Sequence, residues 1–142
     1  VSLGDVRNKP HGPEGLEAFE NPLKFNLIEL RIPEFSCLCP KTGQPDFAQL
    51  TIRYMPDLRC VESKSLKLYI WHFRDAGHFH EAVTQKILDD LCGFLEPRWM
   101  QILGEFNVRG GIYEKVLVEH YGTDPKGSVV VRKRVDSQRF KL

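Results

Sequence analysis

The chain has 142 residues, 42% of them hydrophobic and 27% charged, which suits one soluble domain with a usable core. A formal charge of +1 excludes a whole-molecule electrostatic case for nucleic acid or acidic partners, although residues 121–142 carry six Lys or Arg against two Asp. No apolar run reaches the ~18 residues of a membrane span, and Cys37, Cys39, Cys60 and Cys92 form no CxxC pair, so neither a membrane helix nor a metal site is expected. The opening residues lack a basic start, an apolar stretch and a small-residue cleavage site, so secretion is not expected. A reduced, cytoplasmic protein fits the cysteine usage. The missing initiator Met points to a trimmed start.

Residues 1–21 hold Pro10, Pro13, Gly4, Gly12 and Gly15 with little periodicity and read as a partly ordered arm. Phe25, Leu27, Ile28 and Leu30 predict a first strand over 24–32. A Pro- and Gly-punctuated turn at 40–45 leads to a second strand over 46–55, marked by Phe47, Leu50, Ile52 and Tyr54. Leu66, Tyr69, Ile70 and Phe73 sit at i, i+3, i+4 and i+7, so a helix starts near Glu62 and ends around 75–77. Val83, Ile87, Leu88, Leu91 and Leu95 give a second helix over 78–95, which Pro97 stops. A third strand over 99–108 places Met100, Ile102 and Phe106 on one side. Gly110-Gly111 turns the chain, and a fourth strand covers 112–119. The order is ββααββ, an α+β domain over 22–120 between the arm and a basic tail, 121–142, that has room for an added strand. So thin a pair of layers leaves open sheet edges, which invite pairing with further copies and closure into a barrel.

Three segments carry the chemistry. In Cys39-Pro40-Lys41-Thr42-Gly43-Gln44-Pro45-Asp46 a thiol and a carboxylate face each other across a tight turn. A thiol with the ordinary pKa of about 8.5 is mostly protonated at neutral pH, and needs a base or a positive environment to act as a nucleophile. The residues alone leave structural and catalytic roles for Cys39 both open. Val61-Glu62-Ser63-Lys64-Ser65-Leu66-Lys67 opens the first helix, where Ser and Glu serve as caps, while Lys64 and Lys67 share a face suited to phosphate or carboxylate. His80-Glu81 opens the second helix. A carboxylate there gains from the helix dipole, and it also matches the paired N–H groups of a guanine-like edge. Arg109-Gly110-Gly111 is a hairpin turn or a phosphate clamp. No Gly-x-Gly-x-x-Gly is present, which excludes a Rossmann site.

Taken together and in this order, Ser36-Cys37-Leu38-Cys39-Pro40 through Asp46-Phe47, Glu62 through Tyr69, and Phe79-His80-Glu81 resemble the QueF family, the NADPH-dependent 7-cyano-7-deazaguanine reductases, in its short single-module form. The resemblance implies the tunnelling fold (T-fold), shared with GTP cyclohydrolase I, in which ββααββ units assemble into barrels. It implies that Cys39 attacks the nitrile carbon to form a thioimide and that Asp46 protonates the nitrogen. It further implies substrate contacts from Val61, Glu62, Ser63, His80 and Glu81, and NADPH contacts from Ser63, Lys64, Lys67, Arg109 and Gly110. Four electrons separate nitrile from amine, hence two NADPH per turnover, in the pathway to tRNA queuosine. The expected partners are a small deazaguanine nitrile and further copies of the chain sharing active sites at their seams, with no direct nucleic-acid contact. Cys37, two residues before Cys39, either packs quietly or meets Cys39 on oxidation. Two other functions stay open: a non-reducing relative that adds an amine or amidine to the nitrile, and a purine- or tRNA-binding module that uses the basic tail.

Overall fold

A computed structural model describes residues 8–23 and 25–122. Its long strands are β2 (Ile28–Leu38), β3 (Pro45–Met55), β5 (Trp99–Arg109) and β6 (Ile112–Tyr121), with the short β1 (Ala18–Glu20) and β4 (Arg59–Val61) beside them. The helices are α1 (Ser63–Trp71), continued by a 3-10 turn (His72–Asp75), and α2 (His80–Leu95). The long strands form one antiparallel sheet in the order β2-β3-β5-β6, and β1 pairs antiparallel with β4 in a separate ribbon.

Alternation dictates which face of the sheet meets the helices. Along β3, Ala48, Leu50, Ile52 and Tyr54 are buried at every second position, and Met100, Ile102 and Phe106 do the same on β5. These residues join Leu66, Tyr69 and Ile70 of α1 and Val83, Ile87, Leu91 and Leu95 of α2 in one core. Both helical stripes read from the sequence are therefore the buried ones. At the end of α2, Glu96 takes a left-handed conformation (φ 50°) ahead of Pro97.

The first long strand departs from expectation. It spans 28–38 rather than 24–32, because a bulge between Ile32 and Phe35 carries it past Pro33. Pro33 lacks an N–H, but β2 is an edge strand, and the bulge leaves proline free of the ladder. The extra residue also reverses the phase. Phe35 and Cys37 then point into the core, although Ile28, Leu30 and Ile32 had occupied the opposite parity. The arm is likewise built into the domain from residue 8 onward. Leu16 is buried, and Glu17 pairs with the start of α1 through its N–H to Ser65 Oγ (2.9 Å) and its carbonyl from the Glu62 N–H (2.9 Å). The tail from 123 onward, with its possible added strand, lies outside the described residues. Among the described residues, no helix is long and apolar enough to cross a membrane.

Candidate active site

Cys39 leaves the end of β2 and enters a closed turn. Its N–H donates to the Gln44 carbonyl (2.8 Å), and its own carbonyl accepts from the Gly43 N–H (2.8 Å). Gly43 has φ +72°, a left-handed conformation that glycine adopts without strain. The loop after the 3-10 turn is pinned to the same strand end: Leu38 N–H donates to Ala76 O and His78 N–H to Leu38 O, both at 3.0 Å. That clamp brings Phe79 and His80, at the start of α2, beside Cys39.

The resulting cavity, of about 270 Å³, is lined by Cys39, Pro40, Asp46, His78, Phe79, His80, Glu81, Arg109 and Glu114. Asp46 continues the apolar stripe of Ala48, Leu50 and Ile52 by one position and is 3% exposed. A buried carboxylate needs partners, and Asp46 has two. Arg109 Nη1 binds its Oδ1, and His80 Nε2 stands 3.2 Å from its Oδ2. The same guanidinium reaches Gln44 Oε1 (3.1 Å) and Thr42 Oγ1 (3.4 Å). The His80 ring stacks on Phe106, centroids 3.9 Å apart and nearly parallel, which fixes its plane.

The four cysteines diverge sharply. Hydrogen bonds from the Thr42 hydroxyl, then from backbone N–H groups of Thr42 and Lys41, with help from Arg109, lower the Cys39 thiol to about 7. Burial, followed by the charges of Asp46 and Cys39, pushes Cys37 up to about 11. Burial also pushes Cys92 up to about 12 and raises Cys60. Cys37 is fully buried in β2, whereas Cys39 stands partly exposed in the turn after it.

The other expected residues gather elsewhere. Val61 is buried at the end of β4, where its N–H donates to the Tyr54 hydroxyl (3.1 Å). The Glu62 carboxylate caps α1, accepting from the N–H groups of Lys64 and Ser65 at 2.8 Å each, and those bonds hold it below the usual carboxylate range. Ser63, Lys64 and Lys67 are exposed. Ser63 and Lys67 line a groove of about 420 Å³ between β2 and α1, floored by Leu30, Leu66 and Ile70. None of the residues from Val61 to Lys67 lines the Cys39 cavity. Arg109, expected as a cofactor contact, binds Asp46 and reaches Thr42 and Gln44, while Gly110 and Gly111 form the hairpin turn with φ +55° and +79°. Glu114 was not anticipated at all. Its one signal is a charge in the same strand parity as the core-packing Val116 and Val118. Among the described residues, no group of three or more His, Cys, Asp or Glu is placed to hold a metal ion.

A family profile described as "QueF-like protein" matches residues 45–125. The chain is 63% identical over 107 residues to a protein of Nitrosococcus oceani named NADPH-dependent 7-cyano-7-deazaguanine reductase, covering 74% of this chain and 83% of the relative. A protein of the same name from Nitrosomonas europaea is 59% identical over 129 residues, covering 88% and 91%. In solved structures, the archaeosine synthase QueF-Like in its apo form superposes with a TM-score of 0.62 at 15% identity, over 73% of this chain and all of the other. That likeness establishes the tunnelling-fold unit expected from the sequence. By profile, by sequence identity and by fold, the chain belongs to the QueF-like family.

Proposed function

We propose that this protein reduces the nitrile of 7-cyano-7-deazaguanine to the aminomethyl group of 7-aminomethyl-7-deazaguanine, as a cytoplasmic NADPH-dependent enzyme of the route to tRNA queuosine. The observation that carries this reading is a thiol lowered to about 7 in the same cavity as a buried carboxylate held by Arg109 and His80. Such a pair has what a nitrile requires: a nucleophile for carbon and a proton source for nitrogen. Relatives at 63% and 59% identity that carry the reductase name add to it.

The Cys39 thiol passes its proton to the Asp46 carboxylate and adds to the nitrile carbon as thiolate, and the Asp46 carboxyl hands that proton to the nitrogen, giving a thioimide. His80 Nε2, 3.2 Å from Asp46, resupplies that proton. Two NADPH supply one hydride each to the former nitrile carbon. Between the two additions Cys39 leaves as thiolate, which the Thr42 hydroxyl and Arg109 stabilise, and a second proton completes the amine. Glu81, exposed at the cavity rim, offers its two oxygens to the N–H groups of the deazaguanine edge. The exposed Ser63, Lys64 and Lys67 suit the phosphates of NADPH, and the groove with its apolar floor beside Ser63 and Lys67 suits the remainder of a nucleotide.

Val61, Glu62 and Ser63 reach the substrate only if a second chain brings its own α1 start to the Cys39 cavity. The active sites therefore lie at seams between copies. A non-reducing relative would take the nitrile to an amidine-type product and consume no NADPH, and a binding module would form no covalent bond. The separating assay is the near-ultraviolet absorbance of NADPH: the expected result is loss of two NADPH per nitrile. A covalent adduct with no NADPH loss would overturn the reductase reading in favour of the non-reducing one.

A further inference from the structure

Glu81 opens α2 and Glu114 lies on β6, yet their carboxyl groups come within hydrogen-bonding reach of each other. Glu114 also faces His80: its Oε1 is 3.6 Å from His80 Nδ1, and that oxygen is buried and accepts no hydrogen bond. The opposite ring nitrogen of His80 faces Asp46. One carboxyl group on β6 thus touches both residues that open α2.

We propose that Glu114 is a positioning residue of this active site, holding Glu81 by a hydrogen bond and fixing the His80 ring through Nδ1, so that both meet the substrate in one orientation. The proposal rests on the reductase reading above and extends it to a residue outside every motif. Two carboxylates in contact repel each other when both are ionised, so the pair binds its first proton more tightly than a lone carboxylate does. Physical chemistry places that proton on Glu114. The hydrogen bond with Glu81 and partial burial push the Glu114 carboxyl up, while the hydrogen bond received from Glu114 holds Glu81 down. Glu81 therefore stays an acceptor-only carboxylate, as a ligand edge made of N–H donors demands. The buried, unpaired Oε1 of Glu114 faces His80 Nδ1 at 3.6 Å, while Nε2 of the same ring faces Asp46. The groups facing this pair are His80 on α2, Asp46 on β3, Arg109 on β5, and Cys39 and His78 in the loops. As pH rises and Glu114 loses its proton, two charges face each other, Glu81 is displaced, and the nitrile binds less well.

The test compares full-length wild type, Glu114→Gln and Glu114→Ala. Glutamine mimics the neutral acid, with an amide donor for Glu81 and a carbonyl acceptor for His80. Its KM for the nitrile should stay within about threefold of the lowest wild-type value and lose the rise with pH. Alanine should raise KM about tenfold or more, the worth of one charged hydrogen bond, with a much smaller change in kcat. An alanine variant with unchanged KM, or a glutamine variant as impaired as alanine, would overturn the proposal. Infrared spectroscopy supplies a readout independent of turnover. As pH is lowered, wild type should gain the carbonyl stretch of a protonated carboxylic acid ahead of its ordinary carboxylates, and Glu114→Gln should lack that early component; its persistence in that variant overturns the assignment even if alanine fails to fold. A wild type that consumes no NADPH refutes the reductase reading alone, and the infrared result then still decides the role of Glu114.

Discussion

The Thr42 hydroxyl oxygen accepts the Gln44 N–H at 3.2 Å and lies 3.4 Å from Arg109 Nη2, which leaves its own proton for the Cys39 sulfur. That bond, rather than any charge, is the leading reason the thiol titrates near 7. The sign follows from the chemistry: stabilising the thiolate means that Cys39 is protonated and sluggish below about pH 7 and reactive above it. Thr42→Val keeps the shape and removes the donor. The midpoint of Cys39 alkylation against pH should then move upward by roughly one pH unit, about the worth of one hydrogen bond to a charged group. An unmoved midpoint in the pH dependence of iodoacetamide modification would transfer the effect to Arg109 and the backbone. The sequence disclosed Cys39 and Asp46 because turn residues compress them to a spacing of seven. It disclosed neither Thr42 as the activating group nor Arg109 as the partner of Asp46, since that contact bridges 63 positions.

At the scale of elements, β3, β5, β6 and both helices were legible because each repeats its apolar period over two or more turns or pleats. The three-residue strands β1 and β4 were not, for such short pieces show no period at all. The far half of β2 was hidden by its bulge, where Pro33 looks like a strand end and the alternation restarts in the opposite phase. Asp46 and Glu114 share a signal that sequence reading can use: each is a charge in the core parity of its strand, at the end of the sheet where α2 begins. Helix and sheet meet there through Gly104. A Cβ on that glycine would stand 3.0 Å from the Phe106 ring and 3.2 Å from Thr84 Oγ1, whose hydroxyl bonds the His80 carbonyl at 2.7 Å. Gly104→Ala should therefore cost about 1–3 kcal/mol by overpacking. It should also disturb the Phe106 platform beneath His80. Denaturant midpoints together with turnover test this; a variant of wild-type stability and rate would show that the contact relaxes freely.

At the scale of the whole molecule, Cys39 and Glu81 line one cavity of one chain, while the start of α1 lies outside it. This arrangement decides which inactive variants can rescue each other. Mixed and exchanged Cys39→Ala and Glu62→Ala subunits should recover about a quarter of wild-type activity, the share of seams in a symmetric assembly that draw both intact residues from different chains. Glu62→Ala also removes the cap of α1, at about 0.5–2 kcal/mol, so exchange must be run where both variants remain folded. Cys39→Ala mixed with Glu81→Ala should recover nothing. Rescue in the second mixture, or none in the first despite proven exchange, would break the seam account. The ββααββ order was readable from the chain. Which residues meet across an edge was not, because that pairing depends on the partner's position rather than on any local pattern.

The claim on which the rest depends is that Cys39 forms a covalent bond with the nitrile. Intact-protein mass spectrometry of the protein mixed with 7-cyano-7-deazaguanine, without NADPH, measures it directly. The account predicts a gain equal to the mass of one nitrile molecule per chain, formed faster as pH rises through about 7, discharged on adding NADPH, and absent from Cys39→Ala. An unmodified wild type, or the same gain on Cys39→Ala, would contradict it.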